Sequence, residues 1–218
     1  METVARTAPD CRRRTSRPRA DALRNRERIV TAAREMFVEL GPDVPLDDVA
    51  RRAGVGNATL YRNFPDRAAL THEVVLAVLS RTADRAEEAM AEESDTFDAL
   101  SRFVHAAADE RVGALCPLLS GTFDKAHPEL LAERRHLEEA VEELVRRAMT
   151  SGRLRTDIAV GDLMIALSQL TRPLPGVACV EIDQFAHRHL QLFLDGLRTP
   201  ARSELPGTAA TLEDLRRR

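Results

Sequence analysis

Three observations predict an all-α fold for this 218-residue chain. Apolar residues recur at helical spacing along most of its length. No stretch alternates with the period of two that marks a half-buried strand, and Val and Ile are too scattered to build sheets. Apolar residues make up 44% and charged residues 31%, a balance that lets a chain bury a core instead of staying disordered. No apolar run nears the ~20 residues that span a membrane; the stretch 74–79 is among the longest. Residues 1–30 hold no apolar signal segment, so neither export nor a membrane partner is expected. Cys11, Cys116 and Cys179 form no CxxC pair and read as free thiols of a reducing cytoplasm.

Residues 1–22 hold Pro9, Pro18 and the basic run Arg12, Arg13, Arg14, Arg17, Arg19 with almost nothing large and apolar, and read as a disordered arm. From Leu23 the pattern changes: Ile29, Ala33, Met36, Phe37 and Leu40 form the stripe of an amphipathic helix ended by Gly41 and Pro42. Leu46, Val49, Ala50 and Ala53 make a second, shorter stripe. Only Gly54, Val55 and Gly56 separate it from a third segment over 57–64, which stops at Pro65. Two short helices across a glycine-containing turn make a helix-turn-helix. A long helix is predicted from an Asp66 cap to about Glu93, then one starting at Asp95 or Thr96, then helices over 128–149, 160–170 and 181–197. The expected organisation is an arm (1–22), a three-helix domain (23–70), a helical bundle (71–200) joined to it by the long helix, and a frayed tail (201–218).

The net charge of −3 conceals an asymmetry. Residues 1–70 carry 14 Arg against 10 acids (+4), and residues 71–218 carry 18 basic groups against 25 acids (−7). A basic end on an acidic body suits a polyanion at that end. In the third segment, at about 100° per residue, Leu60 and Phe64 share one side while Ala58 and Arg62 face away, flanked by Thr59 and Tyr61. No acid occurs from Gly54 through Pro65, so this outward face is compatible with a wall of phosphates.

Residues 25–70 resemble the N-terminal DNA-binding domain of the tetracycline-repressor (TetR) family of bacterial transcription regulators. Ile29, Ala32, Ala33 and Phe37 before Gly41 carry the resemblance, with Asp48-Val49-Ala50, Ala53-Gly54-Val55 and above all 59–64 followed by Arg67 and Leu70. The resemblance implies a homodimer whose third helices enter the major groove of a palindromic double-stranded operator, released by a small-molecule effector bound in the C-terminal domain. The other open reading is a DNA-binding regulator, repressor or activator, without a small ligand and controlled by a protein partner. Both imply a cytoplasmic, nucleoid-associated protein. Matched by position, Asn57 and Ala58 are expected at base edges, where Asn pairs with adenine and Ala meets a thymine methyl. Thr59, Tyr61, Asn63 and Arg67 match phosphate-contacting positions, and Arg62 suits either phosphate or guanine. Two departures stand out: Pro45-Leu46 replaces the usual hydroxyl residue at the start of helix two, and Asn63 replaces a frequent His.

Phe103, Phe123, Leu137, Met164 and Ser168 are the effector-pocket candidates, as aromatic, flexible or small polar groups near the bundle interior. In 181–197, Ile182, Phe185, Leu192 and Gly196 form one apolar stripe, which Ala186, Leu190, Phe193 and Leu197 widen beyond what one core face needs. The second set is expected at a dimer interface. His105 is expected to pair with Asp109 at i, i+4.

No enzyme and no cofactor is expected. Asp47-Asp48, Asp124 with His127, Cys116 with His105 or His127, and His187-x-His189 are the best catalytic or metal candidates. The last pair diverges by about 200° on a helix and cannot share an ion. No phosphate loop, nucleophile elbow or HExxH is present.

Overall fold

The computed structural model describes residues 16–112, 126–172 and 179–216. Chain order is α1 (Ser16–Leu40), α2 (Leu46–Ala53), α3 (Asn57–Asn63), α4 (Arg67–Glu92), α5 (Thr96–Asp109), α6 (Pro128–Thr150), α7 (Val160–Leu170), α8 (Cys179–Leu197) and α9 (Leu212–Arg216). The fold is all-α; an isolated antiparallel bridge joins Leu154 to Arg198.

α1 starts at Ser16, ahead of the Leu23 expected from the apolar pattern. Before Leu23 it carries no large apolar residue, so periodicity could not reveal those turns. Pro18 is tolerated there because the first turn of a helix has free N–H groups in any case. Asp66 caps α4 as expected, accepting from the Ala69 N–H at 2.8 Å. Asp95 caps α5, and the N–H groups of Asp98 and Phe97 hold its carboxyl below the usual range.

Two cores lie along α4. The first joins Ile29, Ala33, Phe37, Val49, Leu60 and Phe64 to Leu70, Val74, Val75 and Val78 from the start of α4. The second joins Ala83, Ala86 and Ala89 from its later turns to α5, α6, α7 and α8. Leu79 touches both. At about 1.5 Å per residue, the 26 residues of α4 make a spine of about 40 Å shared by both cores.

Of the pocket candidates, Phe103 and Leu137 are packed into the second core, Met164 and Ser168 are half-buried, and Phe123 lies outside the described residues. The stripe of α8 expected at a dimer interface faces inward instead. Ala186, Leu190 and Leu197 are buried inside the subunit together with Leu194, and Phe193 packs against the same core. The exposed stripe is the other one, with Phe185 52% and Leu192 60% accessible. The inward set runs unbroken at i, i+4, i+8 and i+11, so it offers the core the longer apolar strip.

The segment after Pro200 is not frayed. Arg155, buried, grips Asp157 through Nε and Nη2 at 2.6 and 2.8 Å and donates to the carbonyls of Gly196 and Ser203. Asp162 accepts from the Ala210 N–H, and the chain passes so close to α7 that a Cβ on Gly161 would stand 2.3 Å from the Ala210 carbonyl. Hydrophobicity alone did not show this, because the tail is held by backbone groups.

Glu110, just past α5, receives Arg34 of α1 at 2.6 Å and Arg81 of α4 at 3.1 Å on the same oxygen. Burial, then the neighbouring Arg81, holds the Arg34 guanidinium below its usual range. The triad ties the first domain to the second. Glu110→Gln leaves two close guanidinium groups without their shared counter-charge. Because Arg81 is 36% exposed, the expected cost is about 2 kcal/mol, below the 3–5 of a fully buried pair. Urea denaturation checks this through the midpoint; an unchanged midpoint would mean the triad adds no stability.

Candidate nucleic-acid interface

The turn between α2 and α3 forms because Gly54 takes the left-handed conformation at φ +64°, letting its own N–H and that of Val55 close on Arg51 and Ala50 carbonyls at 3.1 and 3.0 Å. α3 then runs for seven residues and ends before Pro65. Leu60 and Phe64 are fully buried in the first core, so the helix is anchored by one side. Asn57, Ala58, Tyr61 and Arg62 are exposed and Thr59 and Asn63 half-buried. This is the division expected from the helical wheel.

The polar groups on α3 are organised from within. Arg62 Nε donates to the Ala58 carbonyl at 2.9 Å and Nη2 reaches the Thr59 hydroxyl at 3.3 Å, which lays the guanidinium along the outer face. The Asn63 side-chain amide donates to the Thr59 carbonyl at 2.8 Å. Arg67, expected at a phosphate, also has partners within the domain. Its Nη1 and Nη2 donate to the carbonyls of Pro42 and Val44 at 2.6 and 2.7 Å, which braces the α1–α2 loop against α4. Pro45 is the N-cap of α2 and offers no side-chain hydrogen bond.

One positioning residue escaped the sequence reading. Arg26 of α1 pairs with both carboxylate oxygens of Glu73 on α4, at 3.3 and 2.7 Å, and donates to the carbonyl of Asn63 at the end of α3. Its guanidinium also lies 4.5 Å from the centre of the Phe64 ring. One side chain therefore locks α1, α3 and α4 together. No sequence motif marks it, because its partners come together only in the folded chain. α2 is held to α1 by Arg52, which binds Glu39 at 2.6 Å and Glu35 at 3.3 Å. Both are exposed pairs, so they orient more than they stabilise.

The remaining chemical candidates stand apart. His187 and His189 diverge: His187 bonds to Asp109 and His105, while His189 bonds to the Phe185 carbonyl. His105 meets His187 at 2.9 Å, ring over ring, in place of the expected Asp109. Cys116 and Asp124 lie outside the described residues. Among the described residues, no helix is long and apolar enough to cross a membrane.

Comparison with known proteins agrees with this geometry. Residues 29–74 match the family model for bacterial regulatory proteins of the tetR family, and residues 95–199 match a C-terminal domain model described as transcriptional regulator SbtR-like. The chain is 44% identical over 62 residues to the HTH-type transcriptional regulator TtgW of Pseudomonas putida, covering 28% of this chain and 43% of that one. It thus spans less than half the length of the curated relatives it matches. Similarity to solved structures extends further. The TetR transcriptional regulator SCO0520 of Streptomyces coelicolor is 31% identical with a TM-score of 0.61, over 81% of this chain and 99% of that one. LfrR of Mycobacterium smegmatis, solved in complex with proflavine, is 24% identical with a TM-score of 0.59, over 78% and 96%, and shares the fold. A helix-turn-helix anchored on its own core, a bundle hung from the same long helix, and these likenesses place the chain in the TetR family of transcriptional regulators, with α1–α3 as the core of its DNA-binding domain.

Proposed function

We propose that this chain is a ligand-responsive repressor that binds a palindromic operator as a homodimer and is released by a small-molecule effector. The observation that carries the reading is α3: an exposed, acid-free face of Asn57, Ala58, Tyr61 and Arg62 on a helix fixed by Leu60, Phe64 and Arg26. Its outer edge presents an amide, a methyl, a phenol and a guanidinium, which match base edges and phosphates in the major groove. α4 supports the second half of the proposal. The same rigid helix belongs to both cores, so a ligand that shifts the bundle also shifts α3. The proflavine complex of LfrR supports a small-molecule role for this fold, as a property of that relative.

Two α3 helices in a dimer read half-sites about 34–36 Å apart, or a multiple of that spacing. A bundle conformation that changes the spacing weakens binding. A coupling of about 1–3 kcal/mol changes operator affinity about 5–150-fold, and only a ligand that prefers one state produces it. The test is selection from a pool of random duplexes with the purified protein, followed by a screen of metabolites on the selected operator. The expected result is an inverted repeat, with one compound that raises the melting temperature and weakens operator binding together. No enrichment over random competitor at moderate ionic strength overturns the DNA reading. An operator that no compound releases favours control by a protein partner.

A further inference from the structure

His72 sits in the second turn of α4, His127 directly precedes α6, and Glu129 lies in the first turn of α6. Their ligand-capable atoms all lie within 4.8 Å of one another. His72 Nε2 and His127 Nδ1 each stand 3.9 Å from the same Glu129 oxygen, Oε2. That is too long for a hydrogen bond, which closes to about 2.7–3.2 Å. It is close to the spacing around a shared ion: ligand atoms about 2.1 Å from a tetrahedral metal stand about 3.4 Å apart. The imidazole rings meet edge to face, with centres 4.5 Å apart and planes at 78°, so they are not stacked face to face.

The His127 Nδ1 atom strengthens the case. It is shielded from solvent and has no hydrogen-bond partner, a state that costs free energy unless something takes its lone pair or its proton. Glu129 is 68% exposed, so its carboxylate can draw in toward the imidazoles without disturbing the core. An adjoining cleft of about 460 Å³ between α4 and α6 is lined by Glu129 and Glu133, which give a cation a negatively charged approach.

We infer that His72, His127 and Glu129 form a site for a divalent transition-metal ion, with Zn²⁺ as the best fit, that pins the beginning of α4 to the beginning of α6. Two imidazoles and one carboxylate are borderline-soft nitrogen and oxygen donors, which select zinc and its late first-row neighbours over Mg²⁺ or Ca²⁺. Three protein ligands leave further coordination to water or another small donor. No residue of α3 is among its ligands, and the assignment does not depend on how DNA is read.

The test is competitive Zn²⁺ titration of the full chain against a chromophoric chelator, with melting temperature as a second readout. Wild type is expected to take up one equivalent and to melt higher with metal. Glu129→Gln, an exposed change that preserves shape, and His72→Ala are each expected to weaken binding at least tenfold and to abolish the metal-induced shift. His189→Gln removes an exposed histidine on α8 that meets the Phe185 carbonyl, and is expected to change neither metal uptake nor the metal-induced shift. Failure of wild type to bind, or unchanged affinity in Glu129→Gln with His72→Ala, overturns the assignment.

Discussion

Replacing Tyr61 and Arg62 together by Ala is expected to reduce operator affinity at least about 100-fold while leaving the helical circular dichroism and melting temperature near wild type. Both side chains are exposed, so neither contributes to the first core, and Ala is a better helix former than either. Tyr61 offers a ring and a hydroxyl; Arg62 offers a guanidinium already laid along α3 by the Ala58 carbonyl and Thr59 hydroxyl. Each base or phosphate contact is worth about 1–3 kcal/mol, and a tenfold change in affinity is about 1.4 kcal/mol. Two lost contacts per half-site therefore exceed two decades.

Salt dependence then separates the roles of the two residues. If Arg62 meets phosphate, the single Arg62→Ala change lowers the slope of log affinity against log salt by about one for each half-site. If it meets guanine, the slope holds and discrimination at one base position relaxes. Retained operator binding by the double variant, measured by fluorescence anisotropy, would mean that another surface reads the DNA.

α3 was legible in the sequence because its determinants are local. Gly54 and Gly56 open it, Pro65 closes it, and Leu60 and Phe64 are one helical turn apart on its inner side. Asp66 announced α4 for the same reason. What stayed hidden was made by tertiary contact. Arg26 looks like one more Arg of a basic segment until the fold brings Glu73, Asn63 and Phe64 around it. Arg67 matched a phosphate-contacting position, and its guanidinium also meets the α1–α2 loop carbonyls. His72 and the His127–Glu129 pair lie on different helices and meet only because α4 packs on α6. On α8 a wheel shows two apolar stripes but not which one faces inward. The fully buried Leu194, which extends the line from Ala186 through Leu190, decides it.

Leu192→Glu is expected to convert the protein from dimers to monomers at micromolar concentration, with its fold intact. In the single subunit Leu192 is 60% exposed and Phe185 52%, while Ile165 on the neighbouring α7 is 41% exposed. Leu192 and Ile165, with Ala166, Phe193 and Gly196, edge a groove of about 450 Å³ between α7 and α8. Large apolar side chains clustered on two adjacent helices mark an interaction surface more than scattered ones do. A second copy of the chain is the occupant we propose, because a two-fold axis lets the same stripe meet itself. That symmetry doubles the penalty: one substitution places two carboxylates at the interface, each desolvated without a partner. Loss of the dimer separates the two α3 helices, so operator binding falls to that of a single half-site. Ala186→Glu is the contrasting variant: it puts the charge on the buried stripe and is expected to lower the melting temperature first. Sedimentation equilibrium reads the outcome directly. A Leu192→Glu protein that keeps a dimeric wild-type mass, or a wild type that is itself monomeric, would overturn this interface.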